Sequence, residues 1–509
     1  MKRVLSVASE AVPLVKTGGL ADVVGALPGA LAGQGWDMRV LIPAYPGVLE
    51  RLAPPPPPVT TTAVPGKGGR RGKGAPQADA PAVLWSDPDL FGGPARVLAG
   101  QVGGVQVLAL DAPHLYDRPG GPYSGPAGDH WDNAERFAAL SWAAAAIARD
   151  GLAEPGGDTP WRPQILHAHD WQAGLAPAYL KWWGVDVPSI LTIHNMAFQG
   201  RVGPAKRAAL RLPAEGFQRD GYEFWGDIST LKAGLMNADA ITTVSPRYAE
   251  ELMRGEFGLG LEGVIQLRAG AVHGILNGID DTVWNPETDP AITPYSAARL
   301  TGKAINRKAL QAEFNLGEVP GPLLILVSRL TPQKGIDLLP GALDGFIAAG
   351  GGLAILGSGD PWAEEMVQGL AARFPGRVGV KIGYDEGLSH RMFAGGDAVL
   401  VPSRFEPCGL TQLYGLRYGC VPVVSAVGGL ADTVIGLSPA TEAAGAATGI
   451  VFHPVDDLAL RQALQRLTEA WADRKGWAAM VKRGMRTDWG WARSAAAYGA
   501  LYDRLSGQP

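Results

Sequence analysis

Val4-Leu5-Ser6-Val7, then the helix-spaced stretch Leu20–Leu31, then Arg39-Val40-Leu41-Ile42 read as strand, helix and strand in succession. Short β-branched runs separated by longer helical periods are βαβ units, whose strands pair in parallel. The rhythm recurs and then restarts at Leu323–Val327, with a helix-like stretch near Leu338–Phe346 and strands at Leu353–Leu356 and Ala398–Val401. The expected fold is α/β, built from two doubly wound halves. Between them Gly274-Ile275-Leu276-Asn277-Gly278-Ile279-Asp280 suits a crossing point.

The size agrees: 509 residues at roughly 150 per domain make two or three domains with substantial cores. Hydrophobic residues are 46% and charged residues 18%, and Gly (70) with Pro (41) stay below the share that marks low-complexity chains. Lys+Arg 45 against Asp+Glu 49 leaves a net charge of −4, so there is no basic field to gather counterion-release energy from nucleic acid. Cys408 and Cys420 are the two cysteines; they form no CxxC pair and no disulfide framework, which fits a reducing, cytoplasmic setting. Met1-Lys2-Arg3 and the apolar run after it imitate a signal peptide until Glu10 and Lys16 interrupt it. The Ala-rich segment Ala143–Ala148 is too short and too closely flanked by charge to span a bilayer. Pro54–Pro58 and the Gly-, Ala- and Lys/Arg-containing stretch to Pro81 read as a surface insertion, either a solvated loop or a contact for an acidic partner.

Candidate chemistry sits after strands. Lys16-Thr17-Gly18-Gly19 follows the first strand, at the carboxyl edge where open α/β sheets bind ligands, and suits a phosphate or a sugar hydroxyl; a turn with a surface lysine is the alternative. It is neither a P-loop nor a GxGxxG fingerprint, so ATPase and dehydrogenase readings lose support. Gly18-Gly19-Leu20-Ala21-Asp22 returns as Gly428-Gly429-Leu430-Ala431-Asp432, and in both places free N–H groups at a helix start would draw negative charge. Ile165-Leu166-His167-Ala168-His169-Asp170 and Leu191-Thr192-Ile193-His194-Asn195 end two further strands with polar groups. A metal reading fails for want of a completed ligand set, because strand alternation turns His167 and His169 one way and Asp170 the other; His167 also reads as a core histidine. Arg329 and Lys334 lie close together in Val327-Ser328-Arg329-Leu330-Thr331-Pro332-Gln333-Lys334-Gly335 and suit a diphosphate, a solvated charged loop being the alternative. Glu406, in the turn of Ser403-Arg404-Phe405-Glu406-Pro407-Cys408-Gly409-Leu410-Thr411-Gln412, lies beside a helix start that keeps a carboxylate ionised. Cys408 reads as a small buried or site-lining residue rather than a thiol nucleophile, since no histidine is near in sequence.

Taken together, KTGGLADV, HAHDWQAGLAPAYL, TIHN, LKAGL, SPRYAEE, LNGID, SRLTPQKG, IGYDE and PSRFEPCGLTQLYGLRYG resemble the bacterial glycogen synthases and plant starch synthases, over nearly the whole chain and in the family's order. The resemblance implies a GT-B type glycosyltransferase: two Rossmann-like domains facing each other across a cleft, the acceptor side at 1–272, the nucleotide-sugar side at 273–488, and a C-terminal helix in 489–509 packing back on the first domain. It implies retaining transfer of glucose from ADP-glucose to the non-reducing end of an α-1,4-glucan such as glycogen. ADP-glucose would be a co-substrate, with no cofactor, no metal, no nucleic acid and no membrane involved. By motif, Lys16 would meet the donor phosphate or the acceptor side, and Asp170 and His194 would line the glucosyl pocket. Arg329 and Lys334 would grip the diphosphate, Glu406 would hold the donor sugar's hydroxyls, and Tyr384 of IGYDE would stack on the base. Gly18, Gly19, Asp22, Asn195, Asn277, Cys408, Gly409, Leu410 and Thr411 are further expected contacts.

Two residues depart from the family pattern: Gln172 where HAHDWHAG has a histidine, and Val427 where a threonine usually precedes GGLAD. The wider GT-B group often carries a second glutamate eight positions after the first. Tyr414 stands there, as in the glycogen-synthase branch rather than in sucrose- or trehalose-type relatives. The competing readings are a related transferase using UDP-glucose or a small acceptor, and a catalytically silent glucan-binding scaffold.

Overall fold

The computed structural model describes residues 1–52, 82–154 and 159–507; the insertion expected at 54–81 lies outside them. Two compact units result. One comprises Met1–Thr242, Gly258–His273 and Ala495–Pro509, the other Thr243–Phe257 and Gly274–Ser494.

The first unit is built on a sheet of β1 (Lys2–Val7), β2 (Trp36–Pro43), β3 (Val83–Asp87), β4 (Ala95–Val102), β5 (Val105–Asp111), β6 (Ile165–His169), β7 (Ser189–Ile193), β8 (Ala240–Thr243) and β9 (Val272–Gly274), in the order β9-β8-β7-β6-β1-β2-β5-β4-β3. The pairings from β7 through β6, β1 and β2 to β5 are parallel, and β5, β4 and β3 continue as an antiparallel edge. The chain leaves β1 for β2 on one side and reaches β6 on the other, so the order reverses between β1 and β6. That reversal opens a crevice at their carboxyl ends. The Ala143–Ala148 run lies buried within the helix Asn133–Asp150, its small side chains permitting close packing. The C-terminal helix Ala492–Leu505 buries Tyr498 and Tyr502. Tyr502 packs edge-on against Trp36 at 5.2 Å, and Asp503 pairs with Lys2.

The second unit carries β10 (Leu323–Val327), β11 (Gly352–Gly357), β12 (Val378–Ile382), β13 (Ala398–Val401), β14 (Val421–Ser425) and β15 (Ile450–Phe452), in the order β12-β11-β10-β13-β14-β15. Every pairing is parallel. Numbered within the unit this is 3-2-1-4-5-6, the doubly wound dinucleotide-fold order, with its switch point between β10 and β13. Leu323-Leu324-Ile325-Leu326 is buried throughout, as a central parallel strand covered on both faces must be. No helix among the described residues is long and apolar enough to cross a membrane.

Candidate functional site

In the first unit the loops beyond β1, β6 and β7 carry the polar groups. After β1, Glu10 is buried and accepts hydrogen bonds from the backbone N–H of Thr17, from the Thr17 hydroxyl (2.6 Å) and from the Tyr123 hydroxyl. This carboxylate shapes the Lys16–Gly19 loop from beneath. Lys16 remains at the surface and pairs with Asp22 at 2.7 Å. The helix α1 (Gly19–Ala32) starts at Gly18 with no side-chain cap, which leaves N–H groups of its first turn for an anion.

After β6, Asp170 adopts φ +52, a conformation a non-glycine residue holds only when its surroundings impose it. Its Oδ1 accepts the backbone N–H of His194 at 2.7 Å and, more weakly, that of Asn195 at 3.4 Å, so β6 and β7 are tied together at their carboxyl ends. Burial pushes the Asp170 carboxyl up to about 7, against the lowering effect of those two N–H groups. His169 Nδ1 lies 2.9 Å from His194 Nε2, and His169 Nε2 lies 3.2 Å from Ser6 Oγ. His167 stacks on His169 at 4.3 Å and is held by the hydroxyls of Tyr502 (2.7 Å) and Thr192 (2.6 Å). Burial holds all three imidazoles far below their usual range, His167 and His194 at about 3. They are neutral hydrogen-bonding groups, and His194 alone of the three keeps part of its surface exposed.

In the second unit the loops after β10 and β13 meet at the switch point. Lys334 donates to Glu406 Oε2 at 2.6 Å and the Ser403 hydroxyl donates to the same oxygen at 2.8 Å. Both charges of the pair are largely shielded from water. Oε1 of Glu406 makes no hydrogen bond among the described residues. Arg329 is exposed and reaches Gln333 Oε1 at 3.4 Å. Arg404 braces the two loops against each other: its guanidinium grips Asp337 bidentately at 2.7 Å, donates to the Pro332 carbonyl at 2.8 Å, and its backbone N–H donates to Gln333. Lys334 thus spends one of its three N–H donors on the very carboxylate expected to serve the sugar.

The turn Cys408–Leu410 leads into α2 (Thr411–Arg417). Burial pushes the Cys408 thiol up to about 12, so it is no nucleophile near neutrality, and the backbone N–H of Asn277 points at it. Oδ1 of Asn277 is buried without a partner among the described residues. Gln412 ties the turn down by donating to the carbonyls of Cys408 and Gly409 at 3.0 and 2.8 Å. Tyr414, on α2, stacks on Trp284 at 3.8 Å, and His390 stacks on the same indole at 3.9 Å. An aromatic packing contact therefore occupies the place where the wider group carries its second glutamate.

The two copies of the Gly-Gly-Leu-Ala-Asp echo differ. Gly18 faces open space, whereas a Cβ on Gly428 (φ +40) would lie 2.1 Å from the Glu406 carbonyl oxygen. The Gly428 N–H is already taken by both oxygens of the buried Glu251, at 3.0 and 3.1 Å. The second copy packs the backbone of the Glu406 loop and does not present its N–H to a ligand, contrary to the sequence expectation.

Lys16, Gly18, Gly19, Asp22, Asp170, His194 and Asn195 therefore gather along the carboxyl edge of the first sheet. Arg329, Lys334, Tyr384, Glu406, Cys408, Gly409, Leu410 and Thr411 gather along that of the second, Tyr384 being exposed and bonded to Glu386 at 2.7 Å. Sequence reasoning missed the hold of Glu10 on the Lys16–Gly19 loop, having used it only as a charge interrupting an apolar run, and missed the bracing by Ser403, Arg404 and Asp337. A carboxylate embedded in Val7–Val12 was the available signal for Glu10. Nothing local marks the Arg404–Asp337 pair. Among the described residues no three His, Cys, Asp or Glu side chains converge as a metal site.

Residues 3–267 match the model of the starch synthase catalytic domain, and residues 321–470 that of glycosyl transferases group 1. The chain is 58% identical over 504 residues to a glycogen synthase of Cereibacter sphaeroides, covering 99% of this chain and 98% of that one. It is 54% identical over 508 residues to the glycogen synthase of Paracoccus denitrificans, covering 99% and 100%. Among solved structures, the catalytic domain of starch synthase IV from Arabidopsis thaliana, bound to ADP and acarbose, superimposes with a TM-score of 0.83 at 30% identity over 100% of both chains. Sucrose-phosphate synthase from Thermosynechococcus elongatus, at 20% identity and a TM-score of 0.58 over 100% of both chains, shares the fold.

Proposed function

Because this chain belongs to the glycogen synthase family of starch-synthase-type glycosyltransferases, we propose that its donor is ADP-glucose and its acceptor the non-reducing end of an α-1,4-glucan, with retention at the anomeric carbon. The observation that carries this reading is Glu406, anchored through Oε2 by Lys334 and Ser403 while Oε1 has no partner among the described residues, at the switch point of a dinucleotide-type sheet. There Oε1 accepts from a hydroxyl of the donor sugar.

Breaking the bond between the anomeric carbon and the phosphate oxygen leaves the electron pair on the diphosphate and positive charge on the sugar ring. Arg329 and Lys334 supply the compensating charge to the diphosphate, and removing either cation costs on the order of 10²–10³ in rate. Neutral His194 and the carboxyl of Asp170 serve the sugar side. The acceptor hydroxyl attacks from the face the diphosphate is leaving and passes its proton to the departing phosphate oxygen, so no carboxylate nucleophile is required. With two protein cations for the diphosphate, no metal is required either. Lys16 and the free start of α1 serve the donor phosphate or the acceptor.

The test is incorporation of labelled glucose into glycogen from ADP-glucose against UDP-glucose, with and without excess chelator. Preferential, chelator-resistant incorporation from ADP-glucose supports the reading. Loss of activity on chelation, restored by magnesium, refutes its metal-independent part. Preference for UDP-glucose makes the chain a related transferase, and full activity of Glu406→Gln refutes the role of that carboxylate.

A further inference from the structure

His169 and Ser6 have no part in the transfer as proposed, yet they form a directed chain that ends on His194. Ser6 sits on β1, wholly buried, with its Oγ 3.2 Å from His169 Nε2, and His169 Nδ1 is 2.9 Å from His194 Nε2. A neutral imidazole carries one proton on two nitrogens, so the chain has two self-consistent arrangements. In the first, the Ser6 hydroxyl donates to His169 Nε2, His169 Nδ1–H donates to His194 Nε2, and the His194 proton sits on Nδ1. In the second every bond reverses: His194 Nε2–H donates to His169, His169 Nε2–H donates to Ser6, and the Ser6 hydroxyl proton is left without an acceptor. Among the described residues His169 is the one hydrogen-bond partner of that hydroxyl. A buried donor without an acceptor forfeits its hydration for nothing, so the first arrangement prevails. The His169 ring is also held in plane by its stack on His167, itself pinned between Tyr502 and Thr192.

We infer that Ser6 and His169 are positioning residues that fix His194 in its Nδ1–H tautomer, so that its partly exposed edge offers the sugar a hydrogen-bond donor. Nδ1 of His194 has no hydrogen-bond partner among the described residues and is not sealed from solvent, so it is accessible to a hydroxyl oxygen of a bound glucosyl unit. The consequence for catalysis rests on the sugar-side reading of His194 given above; the tautomer itself does not.

The experiment is nitrogen-15 NMR of the full chain labelled at histidine, where protonated and unprotonated ring nitrogens resonate far apart, with the His194 signals assigned by their loss in His194→Asn. The expected result is a protonated Nδ1 and an unprotonated Nε2 in the parent protein. Ser6→Ala, which removes a single buried oxygen, should let the other tautomer grow and lower kcat roughly two- to tenfold, the span of one neutral hydrogen bond, with the KM for the donor unchanged. His169→Asn, whose amide can place an N–H where Nδ1–H stood, should retain the Nδ1–H form. A His194 protonated on Nε2 in the parent protein, or a tautomer ratio unmoved by Ser6→Ala, overturns the inference. The expected tautomer together with full activity of His194→Asn upholds the relay and overturns the sugar-side role of His194.

Discussion

Acidification tests the buried histidine cluster directly. His167, His169 and His194 stay neutral in the folded chain because burial lowers their pKa, while in the unfolded chain each takes up a proton near pH ~6.5. A base whose folded pKa is depressed contributes stability above its unfolded value and loses it as pH falls toward the folded one, at about 1.4 kcal/mol per pH unit per group. Asp170 works the other way: raised to about 7 when folded against ~3.9 unfolded, it weakens the fold as pH rises between those values. Falling from about pH 6.5 to about pH 5, His167 and His194 together remove roughly 3 kcal/mol, His169 adds to that loss, and Asp170 returns roughly 2, so these groups together lower stability. Urea unfolding of the whole protein at the two pH values, with His167→Gln alongside, reads the terms apart. The stability gap between parent and variant should shrink by about 2 kcal/mol at the lower pH, because the variant has no proton to refuse. Parallel pH profiles for the two proteins would refute the argument, as would an imidazole of the cluster titrating near its ordinary value.

Three further outcomes follow from the site geometry. Activity should rise through about pH 7 as Asp170 ionises, and Asp170→Asn should abolish that inflection along with most of the turnover; a pH–rate profile of the variant that keeps the inflection assigns it elsewhere. Gly428→Ala should displace the Glu406 loop, since its Cβ would meet the Glu406 carbonyl at 2.1 Å, lowering both stability and kcat. Gly18→Ala, facing open space with φ −156, should leave the melting temperature within a degree or two and show its effect in substrate KM; equal melting losses in the two variants would contradict the distinction. Asp337→Asn, which loosens the half-exposed Arg404 brace, should cost stability no more than about 1 kcal/mol while raising the KM for the donor severalfold, as initial-rate kinetics would report.

Much of the fold was legible because parallel strands announce themselves. Leu323–Val327 and Ala398–Val401 are short, apolar and bounded, and burial on both faces demands that composition. Sites at strand ends were legible for the same reason: once β10 and β13 are placed, Arg329 and Glu406 must lie at the carboxyl edge. What stayed hidden were pairings set by distant packing. The Lys334–Glu406 contact joins residues 72 apart, and which cation meets which carboxylate depends on how the two loops are braced by Arg404 and Asp337. The two Gly-Gly-Leu-Ala-Asp copies read alike because sequence shows the helix start but not the carboxylate of Glu251 that already occupies one of them. The role of Tyr414 was likewise invisible until Trp284 was seen against it.

Lys334 is proposed to meet the diphosphate, whereas His194 is proposed to meet the sugar and to leave nucleotide binding untouched. Calorimetric titration of ADP into the parent protein, Lys334→Ala and His194→Asn separates the two roles. The expected ADP affinity is roughly 10- to 100-fold weaker in Lys334→Ala, the worth of a charged hydrogen bond, and unchanged in His194→Asn despite its lost turnover. Undiminished ADP binding by Lys334→Ala, or an equal loss in His194→Asn, would overturn these assignments.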